Sequence, residues 1–313
     1  MTGGPSPGKQ ARAVSVRDAL REGISRLREA RVPSDALAAE LLLMHSLAHD
    51  RAWLYSHPES VVEPGDAERY FALVARRAGG EPTQYLTGKQ EFWGLEFEVN
   101  PHVLIPRPET EHVVEVALAR LSTSRGRANR HQGMPGGPLR IADVGTGSGS
   151  IAVALARELP QAQIFATDIS GAALEVARRN ALRHGVRDRI HFAQGDLLQG
   201  VPERGRNLDL IASNPPYVAR DEADGLAREV REHEPYAALF GGAAGTEIYA
   251  RLIEQSVSVL FPGGILVLEL GHQCASHVRS LLAHATWAAV EIVNDLAGIP
   301  RVISAQKTED SSR

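Results

Sequence analysis

Beyond residue 140 the chain repeats one pattern: a short apolar run, a break rich in glycine or proline, then an amphipathic stretch. Arg140–Val144 reads as a strand and Ile151–Glu158 as a helix, and Gln163–Thr167 with Ala172–His184 repeats the pair. Ile190–Ala193 and Leu208–Ser213 follow as strands, then a helix at Ile248–Leu260, a strand at Ile265–Leu270 and a helix near Ser276–Leu282. Unbroken apolar strands that alternate with helices belong to a parallel sheet covered on both faces. Trp287–Val293 and Arg301–Gln306 have only Asp295–Pro300 between them, too little for a crossover helix. They are expected to form an antiparallel hairpin at one sheet edge.

Upstream the period is helical. Val16, Leu20, Ile24 and Leu27 recur at steps of three and four, and Ser34 or Asp35 can cap a second helix carrying Leu37, Leu41, Leu42 and Leu47. Asp66 opens a third with Tyr70, Phe71 and Val74, and Gly79, Gly80 and Pro82 end it. The expected organisation is a disordered tail over 1–11, a helical bundle over 12–88, a hairpin linker over 89–105 around Phe92–Val99, and a larger α/β domain over 106–313. Within the last, Ile105–Glu111 is a rigid loop entering a helix, and 122–138 is a flexible surface loop.

Two loops carry the chemistry. Leu208–Ser213 stops abruptly at Asn214-Pro215-Pro216-Tyr217. Proline has no N–H for a sheet ladder and biases the residue before it toward extended backbone, so this is a stiff loop at the carboxyl end of a strand. In open α/β sheets ligands bind at that edge. The Asn214 side chain and the Pro215 carbonyl are fixed acceptors, and Tyr217 is a ring beside them. Such a set suits a planar amide or ring-conjugated amino group, held by both N–H hydrogens while its nitrogen is alkylated. Asn214, Pro215, Pro216 and Tyr217 are the candidate catalytic and substrate-binding residues.

The second loop is Asp143-Val144-Gly145-Thr146-Gly147-Ser148-Gly149, between the first strand and the first helix of the sheet region. Its glycines permit a tight turn and close backbone approach to a ligand. Asp168 follows at the end of the second strand, where a carboxylate accepts from ribose hydroxyls. The spacing G-x-G-x-G differs from the dinucleotide G-x-G-x-x-G, and no Lys-Ser/Thr pair of a P-loop is present. A nucleoside without a pyrophosphate is therefore preferred, and S-adenosyl-L-methionine fits. Candidate cofactor residues are Asp143, Gly145, Thr146, Gly147, Ser148, Gly149, Asp168 and Asn214.

Composition narrows the class. The net charge of −4 over 313 residues argues against a protein that holds nucleic acid by bulk electrostatics. One cysteine, Cys274, excludes an internal disulfide framework and fits a cytoplasmic setting. No apolar run reaches the length of a membrane span, and Met1–Lys9 lacks the apolar centre of a signal peptide. His45 and His49, four apart, can share a helix face, but no third metal ligand lies near them in sequence. No metal is expected.

With these motifs in place, the chain resembles the release-factor glutamine methyltransferases, the PrmC/HemK family of class I methyltransferases. The resemblance covers about residues 80–306. It rests on Gln84–Gly88, Glu91–Phe97, Ile105–Glu111, Asp143–Gly149, Asn214–Tyr217, Glu234–Leu239 and Pro262–Gly264. Asn-Pro-Pro-Tyr is shared with adenine-N6 methyltransferases. The Pro-Arg-Pro-Glu-Thr-Glu loop and the Phe-Trp-Gly-Leu-Glu-Phe hairpin discriminate. The resemblance implies a Rossmann-like, mostly parallel seven-stranded sheet with an antiparallel edge hairpin and a small N-terminal helical bundle. It implies transfer of a methyl group from S-adenosyl-L-methionine to N5 of the glutamine in the Gly-Gly-Gln loop of class 1 peptide-chain release factors. The bundle would help grip that partner, and Asp196 and Leu197 would sit by the adenine. Read from its own setting between two prolines, Arg107 either orients a cofactor carboxylate or a substrate backbone, or is a capping or surface arginine. Relatives tend to read Gly-Gly-x-Asp-Gly-Leu where this chain has Gly241-Gly242-Ala243-Ala244-Gly245-Thr246. Rival readings are a methyltransferase for a ribosomal-protein glutamine, an adenine-N6 nucleic-acid methyltransferase and a non-catalytic binding module. A cytoplasmic monomer, with no direct nucleic-acid partner, is expected.

Overall fold

The computed structural model describes residues 14–125, 137–203 and 207–308. The expected tail over 1–11 lies outside them, as does most of the 122–138 loop. The chain divides into two compact units, Met1–Thr87 and Gly88–Arg313. No helix among the described residues is long and apolar enough to cross a membrane.

In the first unit a two-residue strand, β1 (Val14–Ser15), leads into helix α1 (Val16–Glu29). Ser15 caps that helix, its hydroxyl oxygen accepting from Asp18 N at 3.1 Å. Then come α2 (Asp35–Leu47), α3 (Arg51–Ser56), β2 (Val61–Val62), α4 (Pro64–Ala78) and α5 (Thr83–Thr87). Strands β1 and β2 pair antiparallel. Leu27, Leu42, Leu43, Tyr70 and Val74 fill the core. Gly23 admits the Tyr70 phenol: a Cβ there would stand 1.8 Å from its oxygen.

The sequence expectations need three corrections here. Ser34 is the residue before α2, but it is left-handed at φ 54° and its side chain caps nothing. The third long helix begins at Pro64, whose missing N–H is no loss in a first turn. His45 and His49 do not share a helix, because α2 stops at Ala48 in left-handed backbone. His49 stacks instead on Trp53, ring centroids 3.8 Å apart, and Trp53 on His57 at 4.8 Å.

The second unit opens with a hairpin of β3 (Lys89–Phe92) and β4 (Leu95–Glu98). Trp93 and Gly94 make its turn with φ of 56° and 66°, the primed geometry that matches strand twist. Helix α6 (Glu111–Arg125) follows and extends through the first four residues of the expected loop. The sheet then winds through β5 (Arg140–Val144), α7 (Ser150–Glu158), β6 (Gln163–Asp168), α8 (Gly171–Arg183), β7 (Ile190–Gln194) and β8 (Leu208–Ser213). Next come β9 (Val218–Ala219), α9 (Arg228–His233), α10 (Tyr236–Leu239), β10 (Phe240–Gly242) and α11 (Glu247–Val259). The chain ends with β11 (Leu260–Glu269), α12 (Ala275–Leu281), β12 (Trp287–Asn294) and β13 (Pro300–Lys307).

Seven strands form one sheet in the order β12-β13-β11-β8-β5-β6-β7. It is parallel except at β13, which runs antiparallel to both neighbours. Alternate residues serve opposite faces. Ile141, Leu210, Ala212 and Val267 pack under α6 and α7. Ala142, Val144, Ile211 and Leu268 pack with Tyr249, Leu252 and Val278 of α11 and α12. Pro262-Gly263-Gly264, residue types that predict a turn before the following strand, lies instead within β11 as an irregularity, and the register with β8 shifts between Leu260 and Ile265.

Asn180 of α8 fastens the hairpin to the glycine loop. It is fully buried. Its Oδ1 accepts from Glu98 N at 2.7 Å, and its Nδ2 donates to Glu98 O at 3.0 Å and Ser148 O at 2.9 Å. Asn180→Ala should strand these groups and lower stability by about 3 kcal/mol, read as a lower urea midpoint for this unit. An unchanged midpoint would contradict the assignment.

Candidate active site

Strands β5 and β8 are neighbours although β6 and β7 come between them in sequence, so the chain reverses its direction of winding there. Val144 stands opposite Ser213, and the Ser213 hydroxyl donates to Val144 O at 2.7 Å. The next residues are Gly145 and Asn214. The two candidate loops therefore start side by side, at the carboxyl edge of the strands and at the topological switch point where open α/β sheets place ligands.

The glycine loop is held from within. Gly145 N and Thr146 N donate to Thr167 O at 2.8 and 2.9 Å, and Gly149 N donates to Thr146 O at 2.7 Å. Gly147 N donates to Asp168 Oδ2 at 2.9 Å. These N–H groups have partners in the protein and are not free to cradle a phosphate. Gly145 and Gly147 have φ of 70° and 54°, and a Cβ on Gly145 would meet nothing within 4 Å. The loop backbone thus faces open space. Gly149 instead lies against α8, where a Cβ would come within 3.1 Å of Ala177.

Three candidate cofactor residues of this loop have their side chains packed within the protein. Asp143, Thr146 and Ser148 are buried. Asp143 Oδ2 accepts from Thr146 Oγ1 at 2.6 Å and from Ala152 N at 3.0 Å. It thereby binds the loop to the first turn of α7, while Oδ1 has no hydrogen-bond partner. Burial pushes the carboxyl up to about 7, against the pull of those two donors.

Asp168 closes the other side. Besides Gly147 N, it accepts from Ser170 N at 2.9 Å through Oδ1, and burial raises its pKa. Each oxygen keeps a further lone pair for a hydroxyl donor. An open glycine backbone beside a partly buried carboxylate, with the Gly145, Thr146, Gly147 and Gly149 N–H groups already bonded within the protein, fits a ribose-bearing group better than a cradled phosphate. Gly195 N donates to Asp168 O at 3.0 Å, which brings Asp196 and Leu197 beside this carboxylate. The Asp196 carboxylate is already paired with Arg251, and Leu197 packs half-buried against the core.

In the second loop the Asn214 Nδ2 donates to Thr110 Oγ1 at 3.0 Å, and no hydrogen bond to Oδ1 is made by the described residues. The Tyr217 ring lies against Gly271, where a Cβ would come within 2.6 Å of it. Burial raises the Tyr217 hydroxyl above its ordinary range. Gly241 and Gly245 approach the loop closely enough that a Cβ on either would strike Pro216 O at 2.5 Å or Tyr217 O at 2.4 Å. At the Ala244 and Thr246 departure, Glu247 holds the segment, its carboxylate accepting from Ala244 N at 2.9 Å and Thr246 N at 3.0 Å.

Arg107 has a protein partner rather than a free guanidinium: it pairs with the buried carboxylate of Glu234, which also accepts from Ile105 N at 3.3 Å. The pair fixes the loop that carries Thr110. Sequence reasoning did not single out Thr110, Glu269, Gly271 or Asn180. The available signals were Thr110 within the Pro-Arg-Pro-Glu-Thr-Glu loop and an acid, Glu269, closing the apolar run of β11.

The chain is similar to known proteins over most of its length. A family model described as the PrmC N-terminal domain matches residues 18–88, and one described as the methyltransferase small domain matches residues 134–232. A release factor glutamine methyltransferase of Koribacter versatilis is 42% identical over 94% of this chain and 99% of its own length. One of Nitratidesulfovibrio vulgaris is 43% identical over 92% of this chain and 94% of its own. Among solved structures, the hMettl16 catalytic domain in complex with MAT2A 3'UTR hairpin 6 superposes with a TM-score of 0.54 at 17% identity, covering 77% of this chain and 83% of that one. At that identity the likeness is one of fold.

The Asp143 environment gives a pH prediction. Between the ordinary carboxyl range and about 7 the folded protein holds a proton there that the unfolded chain has lost, so this group's contribution to stability falls as pH rises through that window and is flat above it. The Tm of Asp143→Asn relative to wild type should therefore rise between about pH 5 and about pH 7.5 and then level. A difference independent of pH would contradict it.

Proposed function

The chain belongs to the release factor glutamine methyltransferase family, and we propose that it methylates N5 of the glutamine in the Gly-Gly-Gln loop of class 1 peptide-chain release factors. The observation that carries this reading is the Asn214 amide, whose Nδ2 is held by Thr110 while Oδ1 is left for a donor. Asn214 Oδ1 and the Pro215 carbonyl accept the two N–H hydrogens of the glutamine amide. Tyr217, seated on Gly271, stacks on the amide plane. Held this way, the nitrogen lone pair is aimed across the gap to the glycine loop, which begins beside Asn214. S-adenosyl-L-methionine, when bound, supplies an electrophilic methyl on a sulfonium and leaves as the neutral thioether. As the glutamine nitrogen is alkylated, one amide proton passes to water. No side chain is required as general base, since the nitrogen becomes acidic on alkylation.

Asp168 is assigned to the ribose hydroxyls, the open backbone at Gly145–Gly147 to the amino-acid part, and Asp196 with Leu197 to the adenine. The helical unit, which the PrmC N-terminal model matches over 18–88, is assigned to recognition of the release factor.

The test is peptide mass spectrometry of a purified, unmethylated class 1 release factor after incubation with the protein and S-adenosyl-L-methionine. One added methyl on the Gly-Gly-Gln glutamine is expected. Its absence, with methylation of a ribosomal-protein glutamine instead, would overturn the substrate. Asn214→Ala should lower turnover by on the order of 10²-fold and leave cofactor affinity, read by isothermal titration, nearly unchanged. Turnover equal to wild type would contradict the role of Asn214.

A further inference from the structure

A single exposed leucine is ordinary on a protein surface; where several exposed apolar side chains gather is informative. Among the described residues of the second unit, four large apolar side chains are exposed: Ile169, Leu182, Tyr236 and Leu296. Leu182 lies near the end of α8, a helix that starts at the carboxyl edge of the sheet and leads away from it. The other three stay at that edge, and Ile169 follows Asp168, the residue assigned to the ribose. We infer that Tyr236 and Leu296 are two anchors that dock apolar side chains of the release factor flanking its Gly-Gly-Gln loop. The inference rests on the reading of a release factor as the substrate.

Both residues are tied to Tyr217 by short chains of contacts. The Tyr236 ring is 62% exposed and stacks on Phe240, centroids 4.2 Å apart. Phe240 stands opposite Val218, the residue after Tyr217. On the other path, the Tyr217 ring lies against Gly271, and Leu270 N donates to Arg301 O at 2.7 Å. Arg301 Nε donates to Asp295 Oδ2 at 2.8 Å, and Asp295 opens the turn that carries Leu296.

That turn is built before any partner arrives. Asp295 N donates to Ile299 O at 2.8 Å and Gly298 N to Asp295 O at 2.9 Å. Asp295 Oδ1 accepts from Ala297 N and Ile299 N, both at 2.9 Å. Leu296 is fully exposed on this frame, so burying it costs little ordering entropy. Because β13 runs antiparallel to β11, with Val302 opposite Glu269, the turn sits where β11 ends. It is two strands from β8, roughly 10 Å. A glutamine that reaches Asn214 brings its flanking chain across this edge. The occupant is therefore the methyl-accepting protein, and buried aromatic and aliphatic anchors are where interfaces concentrate their affinity.

The test is steady-state methylation of a class 1 release factor by the full-length protein. Tyr236→Ala and Leu296→Ala should each raise KM for the release factor by on the order of 10-fold, and the double variant by more than either. kcat at saturation, cofactor affinity by isothermal titration and Tm should hold, since both side chains are exposed. Tyr236→Phe, which keeps the ring, and Leu182→Ala, away from the edge, should stay within about twofold of wild type. A double variant whose KM is within about twofold of wild type would overturn the anchors, as would a Leu182→Ala effect equal to that of Leu296→Ala. Light scattering covers the remaining occupant: a wild-type dimer that the double variant splits, with KM unmoved, would assign the patch to a second copy of the chain and overturn the proposal. Failure of the wild type to methylate any release factor would overturn the substrate reading and the anchors with it, whereas wild-type methylation with an unmoved KM in the double variant would overturn the anchors alone.

Discussion

Because β5 and β8 pair in parallel with Val144 opposite Ser213, the chains leaving them begin about one strand spacing apart, roughly 5 Å. Every feature of the site follows from that adjacency. The glycine loop and the Asn-Pro-Pro-Tyr loop come from strands separated in sequence by β6 and β7, yet they open at a common edge. Hydrophobic burial fixes the pairing. A slip of β8 by one residue against β5 would turn Leu210 and Ala212 from one buried face to the other and unmatch both cores. The position of the site is thus set by the core, and its rigidity by polar contacts added around it.

Those contacts share a character. Asp143, Asp168, Glu234 and Glu269 are carboxylates in or beside the site, and burial raises the pKa of each. A carboxyl raised in this way ionises more readily beside a cation than beside a phosphate, so a positively charged ligand is the one these groups can accommodate. The glycine loop points the same way, since its Gly145, Thr146, Gly147 and Gly149 N–H groups bond within the protein. A nucleoside with a positively charged tail suits this edge better than a nucleotide does.

The sheet, its edge hairpin and the two loops were legible in the sequence because periodicity and turn chemistry are local properties. Strand-length apolar runs and G-x-G-x-G declare themselves within a few residues. What escaped was long-range or short. Thr110 meets Asn214 from 104 residues away, and Arg107 finds Glu234 at a separation of 127, so no window along the chain contains either pair. Strands β9 and β10 span two and three residues, too few to show a period. The His45–His49 spacing suggested one face, but the helix ends at Ala48 in left-handed backbone. Pro262-Gly263-Gly264 looked like a turn because those residues usually make one; β11 absorbs them as an irregularity in its pairing with β8.

The central claim is the direction of the hydrogen bonds at Asn214. A neutron structure of the protein with a Gly-Gly-Gln peptide and the demethylated cofactor would read it directly, since deuterium distinguishes nitrogen from oxygen in an amide. The account predicts the glutamine nitrogen within about 3 Å of both Asn214 Oδ1 and the Pro215 carbonyl, with a deuterium on Asn214 Nδ2 pointing at Thr110. An Asn214 amide turned the other way, with Nδ2 toward the glutamine, would contradict it.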